Sequence, residues 1–326
     1  MKIGIYGFGS IGRLLAKVSM RRGHELLSVV DVDESILGKD AGELIGVGKL
    51  GVPVTKNVES LAEADVVLHA TSSYLDKVYS QLTSIIELGV NVVSTCETLA
   101  YPYYRYPVLA RRISELAESM GVVVVGTGIN PGFIFDALLV ALSSTVPRVK
   151  RIRATRSLDA AKRRESFRRK IGVGENPELV REKLARGEIT GHVGYAESVY
   201  LVGYAGDLEF TRVVEKQDPL PAEETAESSG VRVSRGLNRG ITGYGAGYVD
   251  DREVIRVEFH AYVGAPEYEE VVVEGEDYTV MWRSTGTPGD LGTASVVLSV
   301  AEKTMHMAPG LRLMTELLPF KLKFAV

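Results

Sequence analysis

The sequence is short of several residues that carry chemistry or cross-linking. Its one cysteine, Cys96, rules out an internal disulfide and points to a reducing, cytoplasmic compartment. Five histidines stand far apart, at 24, 69, 192, 260 and 306. No His, Cys or Asp pair has zinc-ligand spacing, so no metal site is expected. No apolar run is long enough to cross a bilayer, and the first residues read as a strand rather than a leader peptide. A formal charge of −4 gives no reason to expect nucleic acid. Basic residues crowd between Arg148 and Lys170, but acids interrupt them and regular aromatics do not, so a solvated helix face is expected there. Neither G-x-S-x-G nor a P-loop occurs. Glutamine is confined to Gln81 and Gln217 while Arg, Glu and Val abound, a bias that hints at a heat-adapted source.

The features that are present begin at the first residues. Ile3 to Tyr6 is a short apolar run leading into Gly7-Phe8-Gly9-Ser10-Ile11-Gly12, and an amphipathic stretch from Arg13 to Arg22 comes next. Strand, glycine turn and helix in that order form a dinucleotide cradle. Gly7 makes the turn, Gly9 admits the pyrophosphate, and Gly12 lets helix and strand pack closely. The free N–H groups at Ser10 and Ile11 would meet the phosphates. A glycine-rich surface turn is the competing reading. The second apolar run, Leu26 to Val30, ends in Asp31, nineteen positions after Gly12. An acid there accepts from the adenosine ribose hydroxyls and repels a 2′-phosphate, favouring NAD over NADP. Asp33 is a rival, and a solvated strand end is the alternative for Asp31.

Alternating strand and helix signals continue. Lys39 to Leu44 reads as a short helix or turn, Val52 to Val54 as a brief strand, and 65–72 as a strand ending in Thr71 and Ser72, over which a dinucleotide can lie. His69 lies within that apolar strand, where packing competes with function. Leu75 to Leu88 is helical, and Val90 to Thr95 is a strand that delivers 96–102 to the same edge. A helix from Val108, a strand from Val122 to Val125 and Gly126 to Gly132 come next. Asn130 and Pro131 read as N-cap and first-turn proline of a helix over Phe133 to Ser143.

The expected class is therefore α/β. A doubly wound parallel (Rossmann) sheet spans 1–147, a second α+β domain on a mixed or antiparallel sheet spans 148–290, and 291–326 packs back on the first domain. In the second domain Val149 to Ser157 and Ser198 to Val202 read as strands, Asn176 to Arg186 as a helix, and Arg252 to Val263 as a long alternating strand.

Glu97 is the leading candidate for chemistry. It lies just past a parallel strand, in a loop expected to face the nicotinamide, among small and apolar neighbours that would raise its pKa toward that of a general base. Capping a helix start is its alternative role. Gly191-His192-Val193-Gly194 suggests close approach to substrate or, equally, a turn before a strand. His260 lies on the more polar face of its strand. Cys96 is a poor nucleophile, because Glu97 beside it raises its pKa.

The runs Ser94-Thr95-Cys96-Glu97 with Tyr101-Pro102, 128–133 with Asp136, the Gly-His-Val-Gly loop with Glu197-Ser198, and Pro288-Gly289-Asp290 through Pro309-Gly310-Leu311 resemble the dihydrodipicolinate-reductase-like oxidoreductases. Within these they are most similar to the 2,4-diaminopentanoate and native amine dehydrogenases. The His-His pair of the true reductases is missing, and Glu97-Thr98-Leu99 stands where sugar-dehydrogenase relatives have Glu-Lys-Pro. The resemblance implies reversible oxidative deamination of a small amine or diamino acid with NAD or NADP, Glu97 being the acid/base. Glu197 and His260 are further catalytic candidates, able with Asp159 to hold a second amine or a carboxylate of the substrate, and Tyr101, Asp159 and His192 are candidates for substrate contact. Gly7, Gly9, Ser10, Ile11, Gly12, Asp31, Thr71, Ser72 and Asn130 would hold the cofactor. A homodimer is expected. An imine or carbonyl reductase and a non-catalytic NAD(H) sensor are the alternatives.

Overall fold

The computed structural model describes residues 1–325. It divides into two compact units, Met1–Phe133 with Pro288–Leu318, and Ile134–Thr287 with the tail from Pro319. The chain thus changes unit at 133/134, ahead of the boundary read at 147, and its last residues belong to the second unit.

In the first unit β1 (Lys2–Tyr6), α1 (Ser10–Arg21), β2 (Glu25–Val30), α2 (Ala41–Ile45), β3 (Val54–Thr55), β4 (Val66–His69), α3 (Leu75–Glu87), β5 (Asn91–Ser94), α4 (Pro102–Arg105), α5 (Pro107–Met120) and β6 (Val123–Gly126) succeed one another. The strands read as continuous apolar runs because both faces of a parallel sheet are covered. Ile3, Ile5, Val67, Leu68, Val92 and Val124 are fully buried. In α3, Leu75, Val78, Leu82, Ile85 and Ile86 recur at helical spacing and all are buried. Asp40 caps the start of α2 and also ties down the loop beyond it, its carboxylate accepting from the N–H groups of Gly42, Glu43, Leu50, Gly51 and Val52.

The second unit holds α6 (Ala137–Ser143), β7 (Val149–Asp159), α7 (Glu165–Lys170), α8 (Pro177–Arg186), α9 (Tyr195–Ala205), β8 (Arg212–Pro221), β9 (Ala226–Ser228), β10 (Val231–Val233), β11 (Asn238–Val249), β12 (Arg252–Tyr262), β13 (Tyr268–Gly275) and β14 (Thr279–Ser284). Its six-stranded sheet has the order β14-β13-β7-β12-β11-β8, and all pairs are antiparallel except β7 with β12. Helix α9 lies against one face over the alternate glycines Gly243, Gly245 and Gly247. A methyl group on these would meet Tyr195 or Phe210 at 2.4 to 2.8 Å, so only glycine lets the helix come this close. The other face carries Arg153, Arg256, Glu258, Glu270 and Glu274, with ion pairs between Arg153 and Glu274 at 3.2 Å and between Arg256 and Glu253 at 3.1 Å.

The chain then returns to the first unit as α10 (Gly289–Thr304) and β15 (Gly310–Arg312). That completes a seven-stranded parallel sheet in the order β15-β6-β5-β4-β1-β2-β3. Its order reverses at β1/β4, the switch point outside which ligands of such sheets bind.

Three local expectations are corrected. Ser198 to Val202 is helix, inside α9, where Tyr195 to Val199 and Leu201 to Gly203 are all buried. A short segment apolar on every side has no periodicity to separate it from a buried strand. Asn130 and Pro131 do not cap a helix: the peptide between them is cis, and α6 starts at Ala137, whose N–H bonds the side chain of Asp136 at 2.7 Å. The basic stretch from Arg148 is a helix face only over α7; its first part is strand β7, with Arg156 only 2% exposed against Glu269 at 3.3 Å.

Candidate active site

The glycine turn forms a shaped cradle. Gly7 has φ +93°, and a methyl group there would stand 2.6 Å from the carbonyl oxygen of Ala70. One on Gly12 would fall 1.9 Å from the carbonyl oxygen of Gly7. One on Gly9 meets nothing within 4 Å, so space is open above the backbone where a phosphate would approach. Ser10 and Ile11 open α1 with partly or fully exposed side chains. Asp31 stands at the end of β2; Phe8 N–H donates to its Oδ2, and Asp33 N–H to its Oδ1 at 2.8 Å. Asp33, the rival acid, is exposed and accepts from Ser35 N–H at 2.9 Å.

The ends of β4 and β5 are tied together. His69 is fully buried, its Nδ1 2.8 Å from Ser94 Oγ and its Nε2 2.8 Å from Gln81 Oε1. Burial holds its pKa down to about 4. Thr71 donates to Gln81 Oε1 at 2.7 Å, and Ser72 beside it is half-exposed. Past β5, Glu97 opens a 3₁₀ turn, Glu97–Leu99, at the carboxyl edge of the sheet. Thr98 N–H donates to Ser73 O at 3.1 Å, and Leu75 N–H to Thr98 Oγ1 at 2.8 Å, so the turn that carries Glu97 is held by the β4 loop. Burial raises the Cys96 thiol to about 12, so it is no nucleophile at neutral pH. Tyr101 leads into α4 with its ring 5.8 Å from that of Tyr103. After β6, the hydroxyl of Thr127 and both amide atoms of Asn130 are buried without a hydrogen-bond partner among the described residues. Such groups mark places where a ligand or water completes the bonding.

In the second unit the predicted residues scatter. The His192 ring packs edge-on to Tyr195 at 4.6 Å and beside Phe259 at 4.7 Å, on the α9 side of the sheet. Burial, aided by the charges of Lys170 and Arg156, pushes its pKa down to about 3. Gln217 holds its loop, accepting from His192 N–H at 2.9 Å and donating to Thr190 O at 3.0 Å. His260 lies on the opposite, charged face, 2.7 Å from Thr242 Oγ1, so it does not share a site with His192. Glu197 is fully buried in α9, next to Ser198, which donates to Asp136 at 2.9 Å. Asp159 accepts from Ala161 N–H, Gly264 N–H and Ser228 Oγ, bonds that fix the end of β7. Neither Gln217 nor Gln81 is recognisable as an anchor from sequence, because a lone glutamine carries no pattern. Among the described residues no cluster of three or more His, Cys, Asp or Glu could hold a metal, and no helix is long and apolar enough to cross a membrane.

A doubly wound sheet with this cradle, an acid at the end of β2 and a second mixed-sheet unit define a Rossmann-type NAD(P)-dependent dehydrogenase. Residues 1–100 match the family model "Dihydrodipicolinate reductase, N-terminus". Residues 133–322 match "2,4-diaminopentanoate dehydrogenase C-terminal domain", and the chain belongs to that family. The 2,4-diaminopentanoate dehydrogenase of Acetoanaerobium sticklandii is 28% identical over 97% of this chain and 93% of its own. The amine dehydrogenase of Mycobacterium smegmatis shares the fold at a TM-score of 0.86, with 21% identity over 99% of this chain and 97% of that one. The scyllo-inositol dehydrogenase of Lactobacillus casei, solved with bound NAD(H), superposes at 0.55 with 14% identity over 94% and 88% of the two chains.

Proposed function

We propose that the protein is an amine dehydrogenase: it converts a small amine or diamino acid of the 2,4-diaminopentanoate kind, with water, to the carbonyl compound and ammonia, reversibly. The observation that carries this reading is Glu97, which opens a turn held to the β4 loop at the carboxyl edge of the dinucleotide sheet in a chain of this family. When bound, the nicotinamide cofactor supplies the hydride acceptor. Gly7, Gly9 and Gly12 shape its phosphate seat, with Ser10 and Ile11 presenting N–H groups. Thr71 and Ser72 lie at the switch edge, and the buried amide of Asn130 offers two N–H donors and an acceptor oxygen that nothing else in the described chain uses. Asp31 favours NAD over NADP, since a 2′-phosphate would bring negative charge toward its carboxylate.

Glu97 takes a proton from the substrate ammonium, leaving the free amine from which hydride can depart. Glu97 then passes that proton to solvent, and the regenerated carboxylate faces the iminium cation and takes a proton from the water that adds to it. Tyr101, which follows the Glu97 turn, is proposed to lie against the substrate. The N-terminal family match supports a second reading, imine or carbonyl reduction, which the same cradle would serve.

Two copies pair through the charged face of the six-stranded sheet, whose rows of Arg153, Arg256, Glu258 and Glu270 carry both signs of charge; a monomer in light scattering would refute this. The single, buried Cys96 suits a cytoplasmic location. The surface ion pairs suit a heat-adapted source.

The test is NAD(P) reduction with amines and diamino acids, each beside its hydroxy analogue. Turnover with amines that falls by orders of magnitude in Glu97→Gln supports the reading, and turnover confined to hydroxy compounds refutes it.

A further inference from the structure

Between the two loops that carry Thr71 and Glu97, a hydrogen-bonded chain centred on the buried His69 and Ser94 runs across the sheet. Cys96 N–H donates to Ser94 Oγ at 3.1 Å, and Ser94 Oγ lies 2.8 Å from His69 Nδ1. On the ring's other side Nε2 lies 2.8 Å from Gln81 Oε1, which also accepts from Thr71 Oγ1 at 2.7 Å; Thr71 Oγ1 is 3.0 Å from Nε2 as well. The partners settle the proton. Gln81 Oε1 can only accept, so Nε2 carries hydrogen and Nδ1 accepts from the Ser94 hydroxyl. A neutral, fully buried ring in a single tautomer thus links the residue beside Glu97 to the end of the cofactor loop.

We propose that His69 is a positioning residue: through Ser94 and Cys96 it sets the Glu97 turn, and through Gln81 it sets Thr71, so that the two loops hold one mutual register. This rests on the reading of Glu97 as the acid/base, and it gives His69 a task that packing alone does not need. An apolar side chain would fill the same space between β4 and α3 without desolvating two ring nitrogens. The ties from Thr98 to Ser73 and Leu75 lie past Glu97, whereas the His69 chain holds its N-terminal flank from the side of α3.

The test uses the full-length protein with His69→Leu, Ser94→Ala and the double variant, read in two ways. Hydrogen exchange should quicken at least tenfold at amides 95–99, with strands β1 and β2 unchanged and binding of ADP-ribose within threefold. Amine turnover should fall at least tenfold in kcat, with the double variant no worse than the poorer single one, as members of one chain behave. Ser94→Ala removes only a hydroxyl and keeps the test alive should His69→Leu fail to fold. Unchanged exchange at 95–99, additive losses, or a lowered melting temperature with normal kcat would overturn the proposal. Faster exchange at 95–99 in a protein whose wild type turns over no amine would instead retire the amine reading and leave the coupling standing.

Discussion

Gly9→Ala separates fold from function at a single methyl group. Gly9 has φ −71° and ψ −163°, extended backbone open to any residue, and its added methyl meets nothing within 4 Å. The apoprotein should therefore melt unchanged or slightly higher, because alanine restricts the unfolded chain by about 0.4 to 1 kcal/mol. The same methyl occupies the space through which a pyrophosphate must come to the N–H groups of Ser10 and Ile11. Losing one or two charge-assisted hydrogen bonds of roughly 1.5 to 3 kcal/mol each, taken as about 3 kcal/mol in all, weakens NADH binding on the order of a hundredfold. Gly12→Ala should behave in the opposite way, since its methyl would fall 1.9 Å from a backbone oxygen and something must move. Fluorescence titration with NADH and thermal melts of both variants make the comparison. Normal NADH affinity in a folded Gly9→Ala would refute the cradle.

Charge and burial elsewhere in the molecule yield three more tests. Glu269→Ala leaves Arg156 buried without its carboxylate and should cost about 3 to 5 kcal/mol in denaturant unfolding; a cost under about 1 kcal/mol would show the pair to be dispensable. Burial holds the folded-state pKa of His69 near 4, below the roughly 6.5 of an unfolded histidine, so the unfolded chain binds the extra proton between these values. The His69 share of stability should fall as pH drops from about 6.5 to about 4, by on the order of 3 kcal/mol beside that of His192, and His69→Leu should lessen the slope by that share; an equal slope would contradict it. Asp40 is held below the usual carboxylate range by the N–H of Leu50 first, against some desolvation, and then by those of Glu43, Gly51 and Gly42. Its stabilisation is complete above about pH 4 and disappears as pH falls through the lower folded value, so exchange at 46–52 should rise only in acid.

Much of the first unit was legible because its signals are local. The glycine spacing, the acid at Asp31 and the regular alternation of apolar runs with amphipathic helices each depend on a few neighbouring residues. Helix α9 was not legible: a helix apolar on every side looks like a buried strand, and the three glycines of β11 that make room for it are distant in sequence. The turn at Asn130 misled because Asn-Pro before an apolar run satisfies the rules for a helix start, while the peptide geometry that sends the chain elsewhere leaves no mark on composition. Arg156 looked like one surface cation among many, since its burial depends on Glu269 lying on a neighbouring strand. The chain through Ser94, His69, Gln81 and Thr71 was hidden for the same reason: four ordinary polar residues acquire a role only when β4, β5 and α3 come together.

The most direct test is reduction of NAD with 2,4-diaminopentanoate and simpler amines beside their hydroxy analogues, in wild type and Glu97→Gln. The account predicts turnover with amines, release of ammonia matching the NADH formed, and a loss of orders of magnitude in the variant while NADH still binds. Turnover with hydroxy compounds alone, or an undiminished Glu97→Gln enzyme, would contradict it.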